Sequence, residues 1–241
     1  MTLNQYPLLI PLAPLIAALI TAFPFRNKIL PNYLFSWWLM IVSFLVSLLQ
    51  LVRVIQEPEF NQIVLFSWGW SLLPEVAMSV DRLSSVMMVF ISGFGVLLYR
   101  YSVRYLQQDA GHDRYLTLFA LCISSLLFMV SCADFIMLFI FWQLLSWFLS
   151  LLSHNYLHGP TIKSGFRTFI ILRAGDLTFI AGIALAYHLY GTLEFNLIFA
   201  RASIDQTIFS IFGSGLQLTG VTLVTILVFV GAMSKSAQIP L

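Results

Sequence analysis

Charge is what this chain lacks most. Twelve Lys and Arg and ten Asp and Glu make only 9% of its 241 residues charged, against about 25% in an ordinary soluble domain. A water-facing surface cannot be built from so few charges, and the small net charge of +2 excludes an electrostatic case for nucleic acid binding. Cysteine is nearly absent as well: Cys122 and Cys132 are the only two. They sit about 15 Å apart on one expected helix, too far to bridge. No Cys/His spacing suggests a zinc, haem or iron–sulfur site. Walker A loops, dinucleotide fingerprints and nucleophile elbows are missing too, which argues against a self-contained enzyme and implies no cofactor. Met1 to Pro7 lacks a basic leader, so the first apolar run reads as a retained span rather than a signal peptide.

What is present is hydrocarbon: 60% of residues are hydrophobic, 22 of them Phe, and the mean hydropathy is +0.92. The runs are long enough to cross a bilayer, so the fold class is an all-α polytopic membrane protein. About seven spans of ~20 residues are expected. They fall at Leu8–Phe25, Tyr33–Val54, Leu83–Val103, Tyr115–Cys132, Phe135–Leu152, Phe166–Tyr190 and Leu216–Ser234. Phe60 to Ser79, broken by Pro74 and Glu75, reads as an extended or interfacial segment with Trp68 and Trp70 at headgroup level. No linker or internal repeat divides residues 1–241, which are expected to form a single transmembrane domain. The chain stops one residue after Pro240 without a polar tail, which suggests a truncated chain or half of a longer architecture.

Basic residues set the expected orientation. With the N-terminus outside, the inner loops hold Arg26, Lys28, Arg100, Arg104, Arg114, Lys163 and Arg167, and the outer side only Arg53, Arg82 and Arg201. That asymmetry favours the N-terminus out.

Polar residues at membrane depth are the candidate functional groups. Lys235 ends the last apolar run, with Pro240 five residues on. A helix carrying that lysine must kink or break beside it, and a cation at a broken membrane helix suits an ion path. The competing reading is a helix-end lysine reaching for headgroups; counted from Leu216, it lies about 28 Å along, nearly a full hydrocarbon thickness. Arg173 and Asp176 share one face of the sixth span and can neutralise each other, either as part of a path or as a structural pair. Gly175 between them lets a neighbouring helix approach. Gln143 places an amide near the bilayer centre, as interhelical glue or as a pathway residue, and Ser146 and Ser150 form a small-residue stripe suited to helix contact. Asp134 reads as a helix N-cap at the outer surface. His154 and His158, at i and i+4, lack a third metal ligand and fit a proton exchange point at the inner face.

Val80-Asp81-Arg82-Leu83-Ser84, Trp142-Gln143, Arg173-Ala174-Gly175-Asp176 and the run from Gly231 to Leu241 occur in order. On these the chain resembles the antiporter-like membrane subunits: chain 5 of respiratory complex I, subunits of multisubunit Na⁺/H⁺ antiporters, and the DabB subunit of energy-coupled inorganic carbon transporters. The resemblance implies the first of two inverted repeats, with the seventh helix broken near Lys235 and Pro240 and that lysine as central proton carrier. The second repeat is expected to be absent. The family's acidic partner, in a Trp-Glu pair, falls on Gln143, which cannot form an ion pair. This departure and the Ser146-to-Tyr156 ending of the fifth span favour the DabB-like branch, which implies an inorganic carbon transporter driven by a cation gradient, in a bacterial inner membrane. The implied partner is then a zinc-containing, carbonic-anhydrase-like subunit; under the complex I alternative it is the other subunits of a quinone reductase. A third reading is a structural membrane anchor.

Overall fold

The structure, a computed structural model, describes residues 3–22, 29–56, 61–66, 76–109, 111–153, 159–204, 207–211 and 216–236. Trp68, Trp70, His154, His158 and Pro240 lie outside them.

Apolar runs with no water to satisfy their backbone must form helices, and these do: α1 (Leu9–Ala22), α2 (Ile29–Gln56), α3 (Arg82–Tyr105), α4 (His112–Val130), α5 (Phe135–Leu152), α6 (Gly159–Tyr190), a short α7 (Phe195–Ala202) and α8 (Gly220–Lys235). Five described helices are long and apolar enough to cross a membrane, whereas α1 with its leading segment and α8 are shorter. Thus the seven expected spans differ at the two ends of the chain. At the start, a 3₁₀ helix (Leu3–Leu8) precedes α1. At the end, Leu216–Thr219 is not helical: it is strand β4, paired antiparallel with β3 (Ile208–Ile211). Thr219 then caps α8 by accepting from the Thr222 amide at 3.3 Å, so the helix begins four residues later than hydropathy implied. Apolarity locates a buried run but does not separate a strand from a helix turn. Between α2 and α3, β1 (Asn61–Phe66) and β2 (Val76–Val80) form a second antiparallel hairpin, in the segment expected to be extended.

α1 packs against α2 and α4, α2 against α3, and α4 against α5, while α6 packs on α8. The first group shares a core that includes Ile10, Met40, Met88, Tyr99, Leu116 and Leu127; the second has its own, around Ala186, Tyr190, Ile198 and Val224. Serines stitch the first group together. Pro14 sits inside α1 and has no N–H to offer the carbonyl of Ile10 one turn back. Ser43 of α2, 1% exposed, donates its hydroxyl to that carbonyl at 2.6 Å. Ser124 of α4 likewise donates to the Pro11 carbonyl at 2.9 Å, and Ser47 and Ser92 join α2 to α3 at 2.9 Å.

One end of the bundle is tied by extended backbone. Ser79 donates to the Ser131 carbonyl at 2.8 Å, Ala133 to Ala77 at 3.1 Å, Phe135 to Leu193 at 3.0 Å, and Phe195 to Ala133 at 3.1 Å. The turn before α5 is therefore bridged both to the β1–β2 hairpin and to the segment after α6. Asp134 in it caps α5, accepting from the Met137 amide at 2.6 Å. Burial raises its carboxyl above the ordinary range, against the lowering effect of the amides of Met137 and Ile136. α6 ends at this same rim, where Gly191 turns the chain with φ 64°, a conformation glycine adopts without strain. The opposite end holds the last turn of α3 and the first of α4, where Arg114 donates to the Leu151 carbonyl at 2.7 Å. Arg53 stands over the Tyr6 ring at 5.4 Å, so the basic residue ending α2 shares the N-terminal end.

Ser43→Ala leaves the Ile10 carbonyl buried and unpaired, a loss of about 1–3 kcal/mol. Unfolding in mild detergent is expected to show it as a lowered midpoint, while Ser43→Thr keeps the donor and the midpoint.

Candidate functional site

The seam between α5, α6 and α8 holds the membrane-depth polar residues. It exists because α6 and α8 touch almost backbone to backbone. A Cβ added at Gly175 would lie 2.1 Å from Ser234 Oγ, one at Gly182 2.9 Å from Val228, and one at Gly231 2.7 Å from the Cβ of Phe179. Only the bare backbone of glycine admits that approach. Ser234, 4% exposed, folds its hydroxyl back to the Gly231 carbonyl at 2.7 Å. Lys235 follows it directly, closing α8, and Ser236 caps the helix end by donating its N–H to the Met233 carbonyl.

The side chain of Lys235 runs toward the middle of α5. Its ammonium donates to the Ser146 hydroxyl and reaches the Trp142 carbonyl at 3.5 Å. It also stands 4.9 Å from the centre of the Trp142 ring, within cation–π range. Ser146 is eleven residues into the 18 of α5, about 16 Å along its axis. The amine thus sits near mid-helix and is not spread among headgroups. With α8 starting at Gly220, Lys235 lies about 22 Å along it, not the 28 Å counted from Leu216.

Asp176 of α6 is 2% exposed and has both oxygens engaged. Oδ1 accepts from Trp142 Nε1 at 2.7 Å and Oδ2 accepts from Arg173 at 3.2 Å. Arg173 also donates to the Gln143 side-chain carbonyl and lies 4.8 Å from the Phe169 ring and 5.5 Å from that of Trp147. Gln143 therefore answers the arginine rather than the lysine, and joins α5 to α6 as an interhelical hydrogen bond. Desolvated charges at this depth are tolerable only when paired, and here the carboxylate pairs directly with Arg173 while its other oxygen is held by the Trp142 indole.

Four sequence-selected residues, Lys235, Asp176, Arg173 and Gln143, thus come together, while His154 and His158 fall outside the described residues. Two more belong to the group by contact. Ser146, expected only as part of a packing stripe, is the hydrogen-bond acceptor for the lysine. Trp142 touches both Lys235 and Asp176, and its ring stacks on Phe179 at 4.7 Å and 6°. An indole among Phe, Leu and Ile in a lipid-depth helix looks like packing, and only the placement of α8 tells it apart.

Chemically, the group offers an amine that can take or release a proton in reach of a hydroxyl, and a carboxylate one indole away. Lysine is suited to this because desolvation moves its protonation equilibrium readily.

Known proteins resemble this chain in sequence and in fold. A family described as NADH:quinone oxidoreductase/Mrp antiporter, TM matches residues 132–241, and one described as NADH-Ubiquinone oxidoreductase (complex I), chain 5 N-terminus matches residues 71–116. The probable inorganic carbon transporter subunit DabB1 of Halothiobacillus neapolitanus is 32% identical over 238 residues, 97% of this chain and 40% of that protein. The chloroplastic NAD(P)H-quinone oxidoreductase subunit 5 of Zygnema circumcarinatum is 29% identical over 249 residues, 100% of this chain and 35% of that protein. The chain thus spans well under half the length of these relatives. Among solved structures, the archaeal membrane-bound sulfane sulfur reductase contains a similar fold with a TM-score of 0.76 at 19% identity, over 95% of this chain and 44% of that one. The Mrp complex from a Dietzia species gives 0.73 at 23%, over 100% of this chain and 24% of that one.

Gly175→Ala is expected to push α6 from α8 and move Lys235 off Ser146. Cross-linking between cysteines introduced at exposed positions of the two helices should weaken, and Ser234→Gly added to Gly175→Ala should restore it.

Proposed function

Because this chain belongs to the family of antiporter-like membrane subunits, we propose that it conducts protons within a multisubunit membrane complex, with Lys235 as the group that takes up and releases them. The observation that carries this reading is the half-buried Lys235 amine set beside the middle of α5, against Ser146 and Trp142 and bridged by Trp142 to the Asp176 carboxylate. A structural lysine at a helix end has no reason to turn inward to neutral acceptors when lipid headgroups offer anions. Arg173 and Asp176 set the field around the amine, Gln143 holds the arginine, and His154 and His158 are assigned the exchange of protons at the inner face.

The excess of basic residues in the loops expected to face inward supports one orientation of the bundle. We therefore propose that the N-terminus is outside, and the DabB-like reading below favours a bacterial inner membrane.

Within the family we favour the DabB-like reading, in which proton flow drives inorganic carbon uptake and a zinc-containing, carbonic-anhydrase-like subunit is the partner. Gln143 supports it, since the complex I pattern calls for glutamate there. The second reading, a proton-pumping subunit of a quinone reductase, draws on the chain 5 match over residues 71–116, and identities of 32% and 29% to the two kinds of relative do not separate them. Capture of the tagged protein from its own membranes decides: a carbonic-anhydrase-like partner supports carbon uptake, and quinone-reducing subunits support the alternative.

Lys235→Ala in the assembled complex is expected to abolish proton flux into vesicles. Normal flux at normal assembly refutes the proposal. If Lys235→Met and Gln143→Leu both retain full activity, the chain is an anchor rather than a conductor.

A further inference from the structure

We propose that Trp142 is the positioning residue of this site, a single side chain that holds the Asp176 carboxylate and the Lys235 ammonium at a fixed separation and couples them. The inference rests on the proton-conducting reading above and adds a residue to it.

No direct contact joins the two charges: Asp176 spends one oxygen on Arg173 and the other on the indole N–H. Lysine carries three N–H donors, and Trp142 meets them with its carbonyl and its ring face while Ser146 takes a hydrogen bond. Trp142 therefore touches both ends of the electrostatic pair. Around it the charged groups among the described residues are Lys235 from α8 and Arg173 and Asp176 from α6; α5 contributes only the neutral Gln143 and Ser146.

The indole is a donor without an acceptor, and it does not carry the proton itself. Its part is geometric. Three elements fix its plane: stacking on Phe179 at 4.7 Å, the N–H bond to Asp176 at 2.7 Å, and the seating of Phe179 against Gly231 of α8. The helix that supplies the lysine thus also sets, through Phe179, the angle of the ring that receives it. If the lysine loses its charge, the attraction of the ring face vanishes, while the Phe179 stack and the bond to Asp176 keep the indole in place. A core tryptophan that only filled space would need neither bond.

The test uses the intact complex reconstituted in vesicles. Trp142 is replaced by benzothienylalanine, which keeps the fused ring and deletes the N–H, and separately by Phe; Asp176→Asn, the double variant Trp142→Phe/Asp176→Asn, and Lys235→Ala are run alongside. The benzothienyl variant is expected to assemble, to lose about tenfold in flux, and to shift the midpoint of the flux–pH curve. Trp142→Phe combined with Asp176→Asn is expected to be no worse than Asp176→Asn alone, because both remove the same coupling. Wild-type flux with an unmoved midpoint in the benzothienyl variant overturns the inference, as do losses that multiply in the double variant. Failure of the isosteric variant to assemble overturns it in favour of a structural role. Normal flux in Lys235→Ala refutes the proton-conducting reading instead.

Discussion

Two helices brought close by three glycines underlie the charge group in the seam. Gly175 and Gly182 on α6 and Gly231 on α8 remove the Cβ atoms that would hold the axes apart, and lipid gives no hydrophobic push to bring helices together otherwise. Close packing is then the attraction itself. Everything polar in the seam inherits its position from this contact. Ser234 fits over Gly175 and Lys235 is the next residue. Phe179 seats on Gly231 and presents its face to Trp142, whose N–H meets Asp176. A single methyl group at any of these points displaces a charge, not just a helix.

The electrostatics of the seam follow from the neutral amide at position 143. A glutamate there would give two carboxylates to two cations. Glutamine leaves Asp176 alone, and the carboxylate is claimed by Arg173 and the indole. Lysine receives neutral acceptors in return: a hydroxyl, a carbonyl and an aromatic face. Neutral acceptors bind an ammonium more weakly than a carboxylate does, so the amine is held without being locked.

Much of this was readable from the residues. Helix positions follow from apolar runs because a bilayer leaves the backbone no other choice, and α5 matches its expected bounds of Phe135–Leu152. The spacing of Arg173 and Asp176 gives their shared face, and it is the observed pair at 3.2 Å. Hydropathy failed where strand and helix are equally apolar: Leu216–Thr219 belongs to a hairpin, which moved the origin from which the depth of Lys235 is counted. Trp142 and Ser146 were not legible as site residues, since their roles depend on α8, some ninety positions later in the chain. Contacts of that range have no periodicity to betray them. Ser43 was equally hidden, because it answers a proline on another helix.

The rim at which α5 begins is bound on both sides by backbone hydrogen bonds, from the β1–β2 hairpin and from the segment after α6. The helix is therefore clamped at one end like a cantilever. Trp142 and Ser146 lie seven and eleven residues into the helix, so a swing about the clamp changes the reach of Ser146 to the amine more than that of Trp142. Such a swing has its fulcrum at Asp134, and its amplitude grows with distance from it.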